Sequence, residues 1–230
     1  MTGRPRLLPS TTPEDPLAHL PCSTIVAYRK GETIFGPEQP SRGVCLIVNG
    51  TVRVSCVGAA GGPVTIDIYK ADEFFGESCL LDPPRCTEQA TALEDTKLMI
   101  WAAAEIAQLM AKRPRLGIAF AQIMAQRSAE FGRCIASYSA DHVDRRLART
   151  LLRLAGRLGT PDDGGALRMA PLTHAFLSQC VGTSREVVTE LMIEFRRRGF
   201  LRYSRRSIII HAGALRQWLR LDHKKGNRSI

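Results

Sequence analysis

The sequence predicts an α+β fold: an antiparallel β-barrel, then a long helix, then a winged helix-turn-helix. Three observations carry that prediction. Short β-rich runs separated by glycine turns fill the stretch from Ser23 to about Ile100. An unbroken helical pattern follows from Arg115 to about Ser139. Two short helical runs then meet at Gly182, and a small hairpin pattern comes after them.

In the first region, "STIVAYRKGETIF" alternates polar and apolar residues and turns at Lys30-Gly31. "VCLIVNGTVRVSCV" reads as two strands joined at Asn49-Gly50. That dipeptide suits a type I′ hairpin because both central residues need positive φ. Gly58 to Gly62 forms another turn, "PVTIDIYKADEFFGE" continues as strand, and "ATALEDTKLMIW" gives one more. Such short strands with glycine turns belong to a sandwich or barrel.

Past Trp101 the pattern turns helical. "AAAEIAQLMAKRP" is a short helix stopped by Pro114. On the long helix that follows, Phe120, Met124, Arg127, Phe131, Cys134 and Tyr138 recur at alternating steps of four and three, the spacing of a coiled-coil seam. The expected partner is a second copy of the chain. "VDRRLARTLLRLAGRLG" forms a further helix with Leu147, Leu151, Leu154 and Leu158 on one face. "TPDDGG" is expected to be a loop.

In "LTHAFLSQCVGTSREVVTELMIEFRRRGFL", Thr173 can cap one helix and Thr183 or Ser184 the next, with Gly182 making the turn. Val187, Val188, Leu191 and Phe195 give the second helix its apolar face. "LRYSRRSIIIHAG" reads as the wing. The expected division is a loose leader over 1–22, a β-barrel domain over 23–114, a dimerisation helix over 115–141 and a winged helix-turn-helix domain over 142–230.

Composition narrows the function. The net charge is +10, and six arginines lie between Arg196 and Arg206. That excess sits in the C-terminal third and favours nucleic acid or acidic membranes as partner. The seven cysteines are scattered without a CxxC, which suits reduced thiols in the cytoplasm. No apolar run is long enough to span a membrane, and no secretory h-region opens the chain. The histidines are dispersed and no P-loop or GxSxG is present, so no enzyme is expected. No metal site is expected either, because an iron–sulfur cluster needs four thiolates and the region before the barrel offers only Cys22.

The helix after Gly182 supplies the chemistry. Arg185 and Glu186 lie in its first turn, with Thr189 and Glu190 one turn on. Arginine can grip guanine O6 and N7, and glutamate can accept from cytosine N4. Thr173, Thr183 and Ser184, together with the positive helix end, suit phosphate oxygens, while Arg205 and Arg206 at the wing tip track the backbone.

The helix-turn-helix stretch, above all "VGTSRE", closely resembles that of the Crp/Fnr superfamily. "YRKGETIFGPEQPSRGVCLIVNGTVRV" and "DEFFGESCLLD" are similar to the family's cyclic-nucleotide-binding-like jelly roll and to the start of its phosphate cassette. The resemblance covers Ser23 to Ala212. It implies a homodimeric transcription regulator that binds double-stranded DNA. Arg185 and Glu186 would read the G·C pair of a TGA-containing half-site, with two half-sites roughly 34 Å apart. Members with a further base-contacting arginine carry it where this chain has Glu190. RNA polymerase is a candidate partner through "GTPDDGGALRM".

The resemblance also places an effector pocket at Gly76, Glu77, Ser78, Arg85, Cys86, Thr87 and Phe131. Cys86 stands where nucleotide-binding members have the phosphate-binding arginine, Thr87 where they have the serine, and Arg85 falls one residue early. Phe131-Gly132 replaces their base-touching Thr-Ser pair. The expectation is therefore a barrel that does not take cyclic AMP in the usual way. The alternatives are dependence on a cyclic nucleotide or other small ligand, or redox sensing by a Cys79–Cys86 pair. No cofactor is assigned.

Overall fold

The computed structural model describes residues 13–39, 41, 43–57, 63–81 and 88–226. Eight strands make its first part: β1 (Ile25–Tyr28), β2 (Thr33–Phe35), β3 (Gly43–Asn49), β4 (Thr51–Val57), β5 (Pro63–Lys70), β6 (Phe74–Phe75), β7 (Glu88–Ala92) and β8 (Thr96–Ala102). They form two antiparallel sheets, ordered β1-β8-β3-β6 and β2-β7-β4-β5. In β4, Val52 and Val54 point inward and Arg53 outward, the period-two pattern of a sheet with one face buried. Phe35, Ile47, Tyr69, Phe75 and Leu98 close the core between the sheets.

Two readings of this region need correction. Asn49-Gly50 does not form a type I′ hairpin, because β3 pairs with β8 and β6 while β4 pairs with β5 and β7. With both edges of β3 taken, the chain crosses here from one sheet to the other. Gly50 adopts φ 103° and Asn49 stays at negative φ. A Cβ on Gly50 would lie 2.4 Å from Thr96 Oγ1, so close approach is what requires the glycine. The single strand expected in "ATALEDTKLMIW" is two, β7 and β8, one in each sheet, divided by the bend at Leu93 to Asp95. The Gly58–Gly62 turn lies outside the described residues.

Helices α1 (Ala103–Lys112) and α2 (Pro114–Ala140) follow. Pro114 ends the first by starting the second, at a position where its missing N–H costs nothing. Ile106, Leu116 and Phe120 pack with Val44, Phe74 and Trp101 on the outer side of the first sheet. Residues 13–22, expected to be loose, are tied down against this layer. Glu14 N–H donates to Gln122 Oε1 (2.8 Å), Trp101 Nε1–H to the carbonyl of Pro21 (3.0 Å) and Arg113 to that of His19 (2.6 Å). Burying the indole needed an acceptor, and the leader supplies it.

Part of the expected seam of α2 faces inward. Phe120 is buried, the Arg127 guanidinium turns into the barrel, and the Tyr138 hydroxyl donates to the carbonyl of Cys180. Met124 and Cys134 are half-buried, and of the six only Phe131 and Tyr138 are exposed. The outward face instead carries Ile118, Ala121, Ala125, Ser128, Gly132 and Ile135, all exposed, at the same alternation of three and four. Both faces of one helix have coiled-coil spacing, and the bulkier one serves the monomer.

The last part holds α3 (Val143–Leu158), β9 (Thr160–Asp162), β10 (Ala166–Met169), α4 (His174–Val181), α5 (Arg185–Arg197), β11 (Leu201–Tyr203), β12 (Ile208–Ile210) and α6 (Ala212–Gly226). Leu147, Leu151 and Leu154 of α3 meet Leu177, Met192, Phe195 and Leu215 in one core. "TPDDGG" is not a plain loop: β9 and β10 pair, with Gly164 and Gly165 at positive φ in the turn. They extend the β11-β12 wing to four strands. Ile68 of β5 joins this core, and α4 packs on β5.

Candidate nucleic-acid interface and sensor pocket

Each helix of the motif starts on a side-chain cap. The Thr173 hydroxyl accepts from Phe176 N–H (3.1 Å) and Ser184 from Val187 N–H (3.3 Å), satisfying donors that have no partner within the helix. Gly182 turns between them at φ 68°, with the Tyr138 ring against it. Val188, Met192 and Phe195 fix the inward face of α5. Arg185, Glu186 and Glu190 are therefore exposed on the opposite side, and Thr189 is half-buried. The backbone N–H of Glu186 and the Ser184 hydroxyl hold the Glu186 carboxyl below its ordinary range. It is thus an ionised acceptor at neutral pH.

At the wing, Ser204 Oγ accepts from the N–H groups of Arg206 and Ser207, both at 3.2 Å. That turn leaves Arg205 and Arg206 exposed at the tip. The arginine run at the end of α5 is less free than its sequence suggests. Glu194 takes Arg197 at 2.7 Å and Arg198 at 2.6 Å.

One residue of this surface escaped the sequence reading. His174 opens α4, and its Nδ1 lies 2.8 Å from Thr189 Oγ1. Fifteen residues separate the two, so only the packing of α4 on α5 reveals the pair.

In the barrel, Gly76 at φ 84° leads into a single helical turn, Glu77–Leu80. Arg127 Nη1 donates to Glu77 Oε1 at 2.5 Å, and its other terminal nitrogen donates to the carbonyl of Phe74. The same guanidinium lies 4.7 Å from the centre of the Tyr69 ring, and that of Arg157 in α3 lies 5.7 Å from it. Burial and the nearby Glu77 raise the Glu88 carboxyl. Burial pushes the Cys45 thiol up to about 12 and Cys79 to about 11. Such thiols are poor nucleophiles at neutral pH. Ser78 follows Glu77 in this turn, partly buried, whereas Phe131 is exposed on α2. Arg85, Cys86 and Thr87 lie outside the described residues, and so does the Cys79–Cys86 pair.

A cluster the sequence did not announce joins the two halves. Asp67 of β5 takes Arg153 and Arg157 of α3, and Arg157 also reaches Glu73. The signal was the four-residue spacing of these arginines beside the leucine face of α3.

Comparison with known proteins agrees with this geometry. Residues 25–113 match the cyclic nucleotide-binding domain, and residues 145–218 match the Crp-like helix-turn-helix domain. The chain is 29% identical over 186 residues to a CRP-like cAMP-activated global transcriptional regulator of Mycobacterium tuberculosis, covering 80% of this chain and 83% of that protein. It is 24% identical over 189 residues to the global nitrogen regulator of a Synechocystis strain, covering 81% of this chain and 84% of the relative. A CRP/FNR-family transcriptional regulator from Thermus thermophilus superposes with a TM-score of 0.71 at 25% identity, over 86% of this chain and 98% of that one. With the jelly roll, the long helix and the capped helix-turn-helix all in place, the chain belongs to the Crp/Fnr family of DNA-binding transcription regulators.

Proposed function

We propose that the protein is a homodimeric, cytoplasmic regulator that reads a palindrome with TGA-containing half-sites. The observation that carries this reading is the Ser184-capped start of α5, which presents Arg185 and an ionised Glu186 side by side and exposed. Arg185 takes the guanine of the TGA core and Glu186 the cytosine opposite. Thr173, Thr183, Ser184, Arg205 and Arg206 hold phosphates. Glu190 stands in place of a second base-contacting arginine, so the outer base pair is read differently from that of members that carry one.

The dimer forms along the outward face of α2, where Ile118, Ala125, Ser128, Gly132 and Ile135 are exposed at seam spacing. The β9–β10 hairpin is the surface offered to RNA polymerase.

The relative from Mycobacterium tuberculosis is cAMP-activated by its name. In this chain Glu77 is already engaged by Arg127, and Cys86 stands at the arginine position of the cassette. We infer that the barrel takes a different small ligand, or works without one. Selection of binding sites from a randomised duplex pool, with no ligand added, tests both points. A TGA-containing palindrome is expected. A folded dimer that enriches no sequence would show that an effector is obligatory. Repeating the selection with cyclic nucleotides and with oxidants then separates the ligand-dependent from the redox reading.

A further inference from the structure

We propose that His174 is a positioning residue that makes Thr189 a reader of the thymine methyl group. This rests on the reading that α5 enters the major groove. The Thr189 hydroxyl donates to the carbonyl of Arg185, one turn back, at 2.9 Å. A hydroxyl has one proton, so that donor is committed. The 2.8 Å bond to His174 must then run the other way, from Nδ1–H into Thr189 Oγ1.

The imidazole is itself held in place. Its ring meets Tyr203 of β11 edge to face, with centroids 6.1 Å apart, and the Arg196 guanidinium lies 5.6 Å from the centre of the Tyr203 ring. Tyr203 belongs to the wing and Arg196 to α5, so three elements fix the ring. The Thr189 hydroxyl is thus held between His174 of α4 and the backbone carbonyl of Arg185 in α5 itself. The side chain is only half-buried, and with its hydroxyl engaged twice the methyl, Cγ2, is the substituent it has left to offer a base. In the major groove, the group that a threonine methyl packs against is the C5-methyl of thymine. Thr189 thereby becomes an apolar contact beside the polar pair Arg185 and Glu186. His174 sets this outcome without touching a base.

The test compares thymine with deoxyuridine, which lacks the methyl, at each thymine of the selected half-site. Full-length wild-type protein is expected to bind about fourfold more weakly when one particular thymine per half-site is replaced, the worth of burying one such group. Thr189→Ser keeps the hydroxyl and should lose that discrimination. His174→Ala should lose it with Thr189 intact, and His174→Asn, which retains a donor, should keep it. Equal binding of thymine and deoxyuridine at every position overturns the proposal, as does full discrimination in His174→Ala. A selected site without TGA sinks the assignment of Arg185 and Glu186, and the comparison is then run on that site. Should no site be selected, nitrogen NMR of the imidazole decides. A proton on Nδ1 that is lost as the preferred form in Thr189→Val supports the proposal, and an unprotonated Nδ1 in the neutral wild-type ring overturns it.

Discussion

Arg157, near the end of α3, directs one guanidinium nitrogen at both carboxylate oxygens of Asp67 in β5, each at 2.8 Å. Arg153 reaches the same carboxylate at 3.0 Å, and the other terminal nitrogen of Arg157 meets Glu73 at 2.6 Å. Asp67 is 6% exposed, while the arginines remain 21% and 29% exposed. Removing the acid leaves Arg157 with Glu73 and with some water. Asp67→Ala should therefore cost about 1–3 kcal/mol, below the full penalty for breaking a buried pair. Urea unfolding measures this, and hydrogen exchange should rise at β5 and α4. Unchanged exchange there would show that the cluster does not join the two halves.

Base and phosphate contacts should separate in binding data. Arg185→Ala is expected to relax selectivity at one guanine and cost roughly 1–3 kcal/mol there. Arg205→Ala and Arg206→Ala should weaken all sequences alike, each lowering the salt slope by about 1. Titrations on matched and mismatched duplexes at several salt concentrations distinguish the two patterns.

The two faces of α2 should respond in opposite ways. Ala125→Glu places a charge on the exposed face and should give folded monomers in sedimentation, with little change in melting of the isolated subunit. Phe120→Ala empties a buried site and should cost about 3–5 kcal/mol of stability. Sedimentation at a temperature where that variant is folded should still show dimers.

Acid should loosen the joint between α2 and α3. Asp141 links them, accepting from the Ser137 hydroxyl at 2.6 Å, Arg149 at 2.7 Å and Arg145 at 3.1 Å. Burial works to raise its carboxyl, but these hydrogen bonds prevail and hold it below the ordinary value. The folded state thus binds this proton less readily than the unfolded chain. The stabilisation is complete above the unfolded value of about 3.9 and is lost as pH falls through the lower folded value. Melting curves from pH 5 downward should fall less steeply for Asp141→Asn than for the wild type.

Thiol chemistry should follow burial. Cys22 is exposed, whereas Cys45 and Cys79 are buried with raised thiols. Alkylation at neutral pH should mark Cys22 first and reach the other two only on unfolding. Rapid native labelling of Cys79 would revive the redox reading.

Much of the fold was legible because local chemistry and burial agreed. Thr173, Gly182 and Ser184 marked the helix-turn-helix through caps and a turn that depend on near neighbours alone. The failures came where a distant partner decided. Asn49-Gly50 has the chemistry of a hairpin, but β8 and β6 already held both edges of β3. The bulky face of α2 had the spacing of a seam, and only the barrel's position showed that Phe120 and Arg127 on it were engaged within the subunit. Asp67 with Arg157, and His174 with Thr189, join residues far apart in the chain whose types are common and whose spacing carries no period.

The outward face of α2 has a further consequence. Alanine, serine and glycine between Ile118 and Ile135 let two helix axes come close, near the short end of the usual 8–10 Å range. They also remove little apolar area from water when they do so. If the proposed dimer forms along this face, its amount follows mass action and depends on subunit concentration. Where dimers are the minority, their number grows as the square of the subunit concentration. A doubling of synthesis would raise promoter occupancy up to fourfold, and the abundance of the regulator would itself act as a signal.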